Sequence, residues 1–224
     1  MSESILLREQ RAAVVAYAQH LIPDGLVRGT SGNISIREGQ LVAVTPTGVP
    51  YKELSPDSIC VIDIEGAIVS GELEPSVEVP MHLAVYRDTD ARSIVHTHSP
   101  YAAVLSTLIT ELPAVHYMIA TLGGPVRVSP YRCYGTKELA QSVSPAITDR
   151  SAVIIGNHGG LTIGSSVESA YARSITLEWL CALYYRAALL GNPRILTEEE
   201  LEEVQSRMEI QGYGAPQLDE AEEG

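Results

Sequence analysis

The chain has 224 residues, 45% of them hydrophobic and 19% charged, enough for one sizeable core and ordinary for a globular protein. Its net charge is −13, of which −9 falls in residues 198–224, where ten Asp/Glu stand against one Arg. No Lys/Arg cluster is available to meet a phosphate backbone, which excludes nucleic acid as a partner; the remaining −4 leaves the body compatible with a small anionic substrate.

Cys60, Cys133 and Cys181 are widely spaced with no C-x-x-C, which suits free thiols in a reducing compartment. Residues 1–10 lack a signal-peptide core, and the apolar stretch at 180–190 is interrupted by Arg186 and too short for a bilayer. A cytoplasmic protein with no membrane partner is expected.

Residues 4–22 carry Leu7, Val14, Val15, Ala18, Leu21 and Ile22 at helical spacing and end near Gly25, which predicts an amphipathic helix. His20 on it reads as structural rather than as a ligand. In Arg28-Gly29-Thr30-Ser31-Gly32-Asn33, two glycines free the backbone beside short donors. This run is either an anion-binding nest or a tight turn into a strand at 33–37. Glu38-Gly39 turns the chain into a strand at 41–45, and Thr45-Pro46-Thr47-Gly48-Val49-Pro50 offers the same two readings. Segments 58–64 and 67–70 read as a hairpin around Glu65-Gly66. Pro80, tolerated only near a helix start, opens a helix through Tyr86 and puts Ser76 and Glu78 at or just before its first turn. Glu78 could serve there only to complement the helix dipole. His82 reads as a packing or hydrogen-bonding residue.

Ser93-Ile94-Val95 are strand formers, and Ser99-Pro100 resembles an N-cap followed by the first helical position. Val95-His96-Thr97-His98 therefore closes a strand just before a helix. Alternation puts His96 and His98 on one side, at the carboxyl end of a strand, where α/β proteins place ligands. A third imidazole is available in Gly156-Asn157-His158-Gly159-Gly160, and three histidines with an open position describe a catalytic zinc site. Taken alone, His-x-His is equally a pair of polar residues on a strand.

A short helix at 99–108 follows, then His116-Tyr117-Met118-Ile119-Ala120, a turn at Gly123-Gly124-Pro125 and a strand at 125–128. Thr136 caps a helix to about Thr148; strands at 152–156 and 161–163 flank His158; a long helix spans 165–190. Thr197-Glu198-Glu199-Glu200 is a capping box for a last helix ending near Gly212-Tyr213-Gly214. Short strands joined by hairpins, with helices on both flanks, predict a three-layer α/β/α sandwich around a mixed, largely antiparallel sheet. Residues 1–214 are expected to form one domain, and 215–224 an acidic, disordered tail.

Taken in order, these segments resemble the class II aldolase/adducin family over nearly the whole chain. The motifs that carry the resemblance are Gly29-Thr30-Ser31-Gly32-Asn33, Thr45-Pro46-Thr47-Gly48, Pro75-Ser76-x-Glu78, His96-x-His98, His116-Tyr117-Met118-Ile119-Ala120, Gly135-Thr136-x-Glu138-Leu139 and Asn157-His158-Gly159. The resemblance implies one zinc ion per subunit, held by His96, His98, His158 and Glu78, with Glu78 leaving the metal to act as a base. It implies a substrate phosphate on Thr30, Asn33, Thr47, Gly48 and Ser76, and catalytic roles for Tyr117, from a neighbouring subunit, and Tyr213. The implied assembly is a homotetramer with interfacial active sites. The implied reaction is cleavage of a ketose 1-phosphate into dihydroxyacetone phosphate and a short aldehyde such as L-lactaldehyde. A pentulose-5-phosphate 4-epimerase, a sugar-phosphate dehydratase and a catalytically silent adducin-like module are the alternatives on the same fold. Val77 stands where a second phosphate-binding serine is expected, and Tyr134 where the family has another aromatic.

Overall fold

Short, near-continuous apolar runs such as Leu41–Val44 and Ala152–Ile155 give strands that bury both faces. A computed structural model describes residues 6–211. Its strands are β1 (Asn33–Glu38), β2 (Leu41–Val44), β3 (Cys60–Asp63), β4 (Ile68–Ser70), β5 (Ser93–Thr97), β6 (Glu111–Leu112), β7 (Val126–Ser129), β8 (Ala152–Ile155) and β9 (Gly159–Gly164). They form one sheet in the order β4-β3-β2-β1-β5-β9-β8-β7-β6. Only β7 and β8 pair in parallel; the other neighbours are antiparallel. The helices are α1 (Arg8–His20), α2 (Val79–Asp88), α3 (Pro100–Leu105), α4 (Lys137–Ile147), α5 (Val167–Leu190) and α6 (Glu198–Gln211).

β8 shows why three layers result. Val153 and Ile155 join the core beneath α2 and α4, whereas Ala152 and Ile154 join the core beneath α3, α5 and α6. α1 covers the β1–β2 part of that second face. Each large aliphatic side chain buried this way stabilises the fold by about 1.5–3 kcal/mol. The expected α/β/α sandwich with a mixed, largely antiparallel sheet is the architecture observed.

Arg11 lies on the inner side of α1, where a charged residue needs partners. Its guanidinium donates to the carbonyls of Leu6, Pro56 and Ile59 and to Ser70 Oγ, tying α1 to the β3–β4 hairpin. His20, read as structural, lies exposed at the end of α1 and packs into no core.

Thr136 caps α4, its hydroxyl accepting from Leu139 N at 3.2 Å. The capping box of α6 forms in both directions: Thr197 Oγ1 accepts from Glu200 N at 3.2 Å, and Glu200 Oε2 accepts from Thr197 N at 2.9 Å. The expected end of that helix at 212–214, and the tail, lie outside the described residues.

α3 stops at Leu105, short of the expected 108, where the Ser106 and Thr107 hydroxyls turn back onto the carbonyls of Ala103 and Val104. β9 begins at Gly159, two residues earlier than read, because its glycines pair with β5 and β8 through backbone alone. β6 and a 3-10 turn at Tyr117–Leu122 were not expected. Among the described residues, no helix is long and apolar enough to cross a membrane.

Candidate active site

The ligand candidates come from three places that the sheet brings together. β5 is buried throughout and ends at Thr97, so His96 is its last inward-facing residue and His98 follows just beyond it. β9 pairs with β5, and the bend Asn157-His158 that precedes β9 swings His158 onto the same side. Asn157 takes a left-handed φ of 53°, which Asn tolerates better than most residues. Glu78 is the N-cap residue of α2 and makes no capping hydrogen bond with its side chain, which faces the histidines instead. The dipole-complement reading of Glu78 therefore does not describe where its carboxylate goes.

One ligand atom from each of Glu78, His96, His98 and His158 lies within 4.8 Å of the others. His96 Nε2 is 3.1 Å from His98 Nε2 and 3.1 Å from Glu78 Oε2; His158 Nε2 is 3.0 Å from His98 Nε2 and 3.5 Å from Glu78 Oε1. Ligands placed tetrahedrally at about 2.0–2.1 Å from zinc are separated by about 3.3–3.4 Å, so these four atoms fit the edges of such a site. His96 Nδ1 donates to the Gly160 carbonyl at 2.9 Å, which leaves Nε2 bare toward the cluster. Glu78 Oε1 is buried with no hydrogen-bond partner. A buried carboxylate oxygen without a donor, facing three imidazole nitrogens, suits a divalent cation.

At His98, His158 and Glu78 the electrostatics agree with that fit. Burial, and then the neighbouring rings, hold His98 down at about 3 and His158 at about 4, so both are neutral donors near pH 7. Burial would also lower His96, but the charge and hydrogen bond of Glu78 and the Gly160 carbonyl outweigh it and raise that group. Burial would raise Glu78; His96, His158 and the Asn33 amide overcome this and hold the carboxyl well below the usual carboxylate range.

The cluster opens into a cleft of about 390 Å³ whose walls include Thr30, Asn33, Thr47, Gly48, Ser76 and Val77. All five residues expected to meet a phosphate therefore border the same space as His98, His158 and Glu78. Thr30, Thr47 and Gly48 are exposed there, while Ser76 is buried with its Oγ accepting from Glu78 N at 3.3 Å. Asn33 is buried too, and one of its amide hydrogens is committed to Glu78 Oε2 at 2.9 Å. Gly32 has φ 78°, and a Cβ there would lie 2.7 Å from the His96 carbonyl, so this loop sits hard against the ligand strand.

Tyr117 does not line this cleft. It is 46% exposed, beside His116 and the α6 residues Arg207 and Met208. Tyr213 lies outside the described residues. The mouth of the cleft is formed by Tyr131, Arg132 and Tyr134. Of these the sequence reading singled out only Tyr134, since nothing local marks an exposed loop as a rim. Asn157, another lining residue, could have been singled out as the one non-glycine suited to a left-handed bend before His158.

Comparison with known proteins accounts for this arrangement. The family model described as "Class II Aldolase and Adducin N-terminal domain" matches residues 12–185. A 5-deoxy-D-ribulose 1-phosphate aldolase of Bacillus thuringiensis serovar kurstaki is 40% identical over 213 residues, 94% of this chain and 99% of that one. A 5-methylthioribulose-1-phosphate/5-deoxyribulose-1-phosphate aldolase of Rhodospirillum rubrum is 33% identical over 207 residues, 92% of this chain and 93% of that one. A solved structure of an L-fuculose 1-phosphate aldolase superposes with a TM-score of 0.87 at 38% identity, covering 90% of this chain and 96% of that one. The chain thus belongs to the class II aldolase and adducin family, and within it to the aldolases, which act as lyases.

Proposed function

We propose that the protein is a zinc-dependent aldolase, with one zinc ion per subunit, that reversibly cleaves a ketose 1-phosphate into dihydroxyacetone phosphate and a short aldehyde. The observation that carries this reading is the convergence of His96, His98, His158 and Glu78 on a cleft whose opposite wall is a loop pair rich in small donors. A divalent ion held there supplies a Lewis acid for the negative charge that develops on the three-carbon fragment. Thr30, Thr47, Gly48 and Ser76, with the second amide hydrogen of Asn33, bind the phosphate. Glu78 moves the proton at C3: the C3–C4 bond breaks, C3 gains a proton, and the C4 hydroxyl gives one up to become the aldehyde.

Tyr117 faces away from its own cleft, which supports the reading that it exchanges the aldehyde proton in a neighbouring subunit of a homotetramer. Tyr213 would close over the site. Val77, 51% exposed on the cleft wall, offers no hydroxyl to the phosphate, leaving the other donors to hold it.

The relatives act on 5-deoxypentulose and 6-deoxyhexulose 1-phosphates by their names, and the short, apolar tail of both fits an exposed tyrosine rim. The test is release of dihydroxyacetone phosphate from 5-deoxyribulose 1-phosphate, L-fuculose 1-phosphate and D- and L-ribulose 1-phosphates, with and without a chelator. Chelator-sensitive release is expected, and the rates rank acetaldehyde, L-lactaldehyde and glycolaldehyde as products. Metal-loaded protein that yields no triose phosphate from any of them would refute the aldolase reading in favour of an epimerase or dehydratase.

A further inference from the structure

Two periodicities interlock beside the metal cluster. Glu78, His82 and Tyr86 are four residues apart and share one side of α2; Asn33 and Ser35 are two apart and share one side of β1. Their polar atoms form an unbroken line. Tyr86 OH lies 2.8 Å from Ser35 Oγ and 3.0 Å from the Ser35 carbonyl; Ser35 Oγ lies 2.7 Å from His82 Nδ1; His82 Nε2 lies 2.5 Å from Asn33 Oδ1; Asn33 Nδ2 donates to Glu78 Oε2 at 2.9 Å. All five residues are buried.

The proton directions follow from the charged end. An ionised Glu78 oxygen requires the NH₂ of Asn33 toward it, because the alternative amide orientation would set Oδ1 against an anion. Asn33 Oδ1 must then accept, so His82 carries its proton on Nε2. His82 Nδ1 is consequently bare and accepts from Ser35 Oγ, while the single Tyr86 hydroxyl proton goes to Ser35, whose carbonyl it reaches at 3.0 Å. Burial holds His82 at about 3, so the ring stays neutral and has only one N–H to place. From Ser35 onward every donor therefore points toward Glu78, and with water excluded each bond polarises the next.

We infer that His82 is a positioning residue for Glu78, fixing the Asn33 amide so that Oε2 is anchored beside His96 while Oε1, without a hydrogen bond, faces His158. This rests on the proposed role of Glu78 as the group that moves the C3 proton. A carboxylate that leaves a metal and returns to it needs a pivot, and an oxygen held by an amide that cannot flip provides one. Glu78 Oε1 makes no hydrogen bond and lies 3.5 Å from His158 Nε2, free to swing about that pivot.

The experiment compares metal-loaded wild type with His82→Phe, His82→Gln and Ser35→Ala. The readouts are metal content, kcat and KM for cleavage, and exchange of the C3 proton of dihydroxyacetone phosphate with deuterated water. His82→Phe keeps the ring shape without hydrogen bonds; kcat and C3 exchange should fall together by about 10–100-fold, as outer hydrogen-bond partners of metal sites typically cost, with KM and metal content little changed. His82→Gln keeps one donor and one acceptor and should recover most of that loss. Ser35→Ala, which removes only a hydroxyl and adds no volume, should fall between wild type and His82→Phe. Imidazole ¹⁵N shifts of wild type should report the Nε2–H form of His82.

Exchange within twofold of wild type in both His82→Phe and Ser35→Ala, or an Nδ1–H form of His82, would overturn the inference alone. So would losses that simply track lost metal. A metal-loaded wild type without C3 exchange would refute the aldolase reading itself and take this inference with it.

Discussion

Gly159 touches no substrate and binds no metal, yet replacing it with alanine should disable the site. A Cβ at this position would lie 2.1 Å from the Thr97 carbonyl oxygen and 3.1 Å from His98 Cα, both backbone atoms of the ligand strand. An ordinary C···O contact is about 3.3 Å, so the start of β9 must withdraw from β5 by about 1 Å. His158 is the preceding residue and moves with it. Metal-ligand distances tolerate only about 0.2 Å, so His158 can no longer share an ion with His96 and His98. We expect zinc affinity to fall at least about 100-fold and stability to fall by about 1–3 kcal/mol from overpacking. Competition with a chromophoric chelator measures the first and urea unfolding the second. Gly160→Ala is the control, since its Cβ would meet the tip of the Leu177 side chain at 2.8 Å, which can rotate away. Wild-type zinc affinity in Gly159→Ala would refute the claim that backbone contact between β5 and β9 sets the ligand geometry.

Other perturbations separate metal binding, proton transfer and stability. Glu78→Gln should retain zinc on the three histidines but lose C3 proton exchange by about 10²–10⁴-fold; full exchange, followed by NMR in deuterated water, would rule out Glu78 as the base. Arg11→Leu strands the buried Ile59 carbonyl, at about 1–3 kcal/mol, and takes the donor from the part-buried Leu6 and Pro56 carbonyls and Ser70 Oγ as well. A loss of at least about 3 kcal/mol, or about 6–12 °C in Tm, with unchanged metal content is expected by calorimetry. His82 is held at about 3 against a usual histidine value of 6.5, so unfolding takes up a proton between these values. Its contribution is fully present above about pH 6.5 and is lost as pH falls toward about 3, at about 1.4 kcal/mol per unit. His82→Gln should therefore lose about 2 kcal/mol less than wild type between pH 7 and pH 5 in urea titrations; parallel losses would place the acid sensitivity elsewhere.

His96 and His98 could be read as a pair because one simple periodicity serves them, whereas Glu78 as a ligand came only with the family resemblance. Alternation in an extended segment places His96 and His98 together, and the proline after Glu78 marks the helix start that presents it. The helices were legible for the same reason, down to the caps at Thr136 and Thr197. β6 has two residues, too few to show any period. The inward face of Arg11 was hidden because most of its partners, the Pro56 and Ile59 carbonyls and Ser70 Oγ, lie some 45 or more residues away. His82 looked like packing because a buried histidine carries no local sign of which polar groups will meet it. That Tyr117 turns away from its own cleft is likewise a property of the fold, set by the 3-10 turn and α6, and absent from the motif around it.

The cleft is supported in two different ways, and its two sides will age differently over generations. On the side of the histidine cluster, Gly32 and Gly159 press backbone against backbone, so adding even a methyl group there must displace a strand. At the mouth, Tyr131 and Tyr134 are 60% and 66% exposed, where substitutions usually alter stability by less than about 0.5 kcal/mol. A lineage can therefore vary these two rim positions freely while the strands behind the cluster stay as they were.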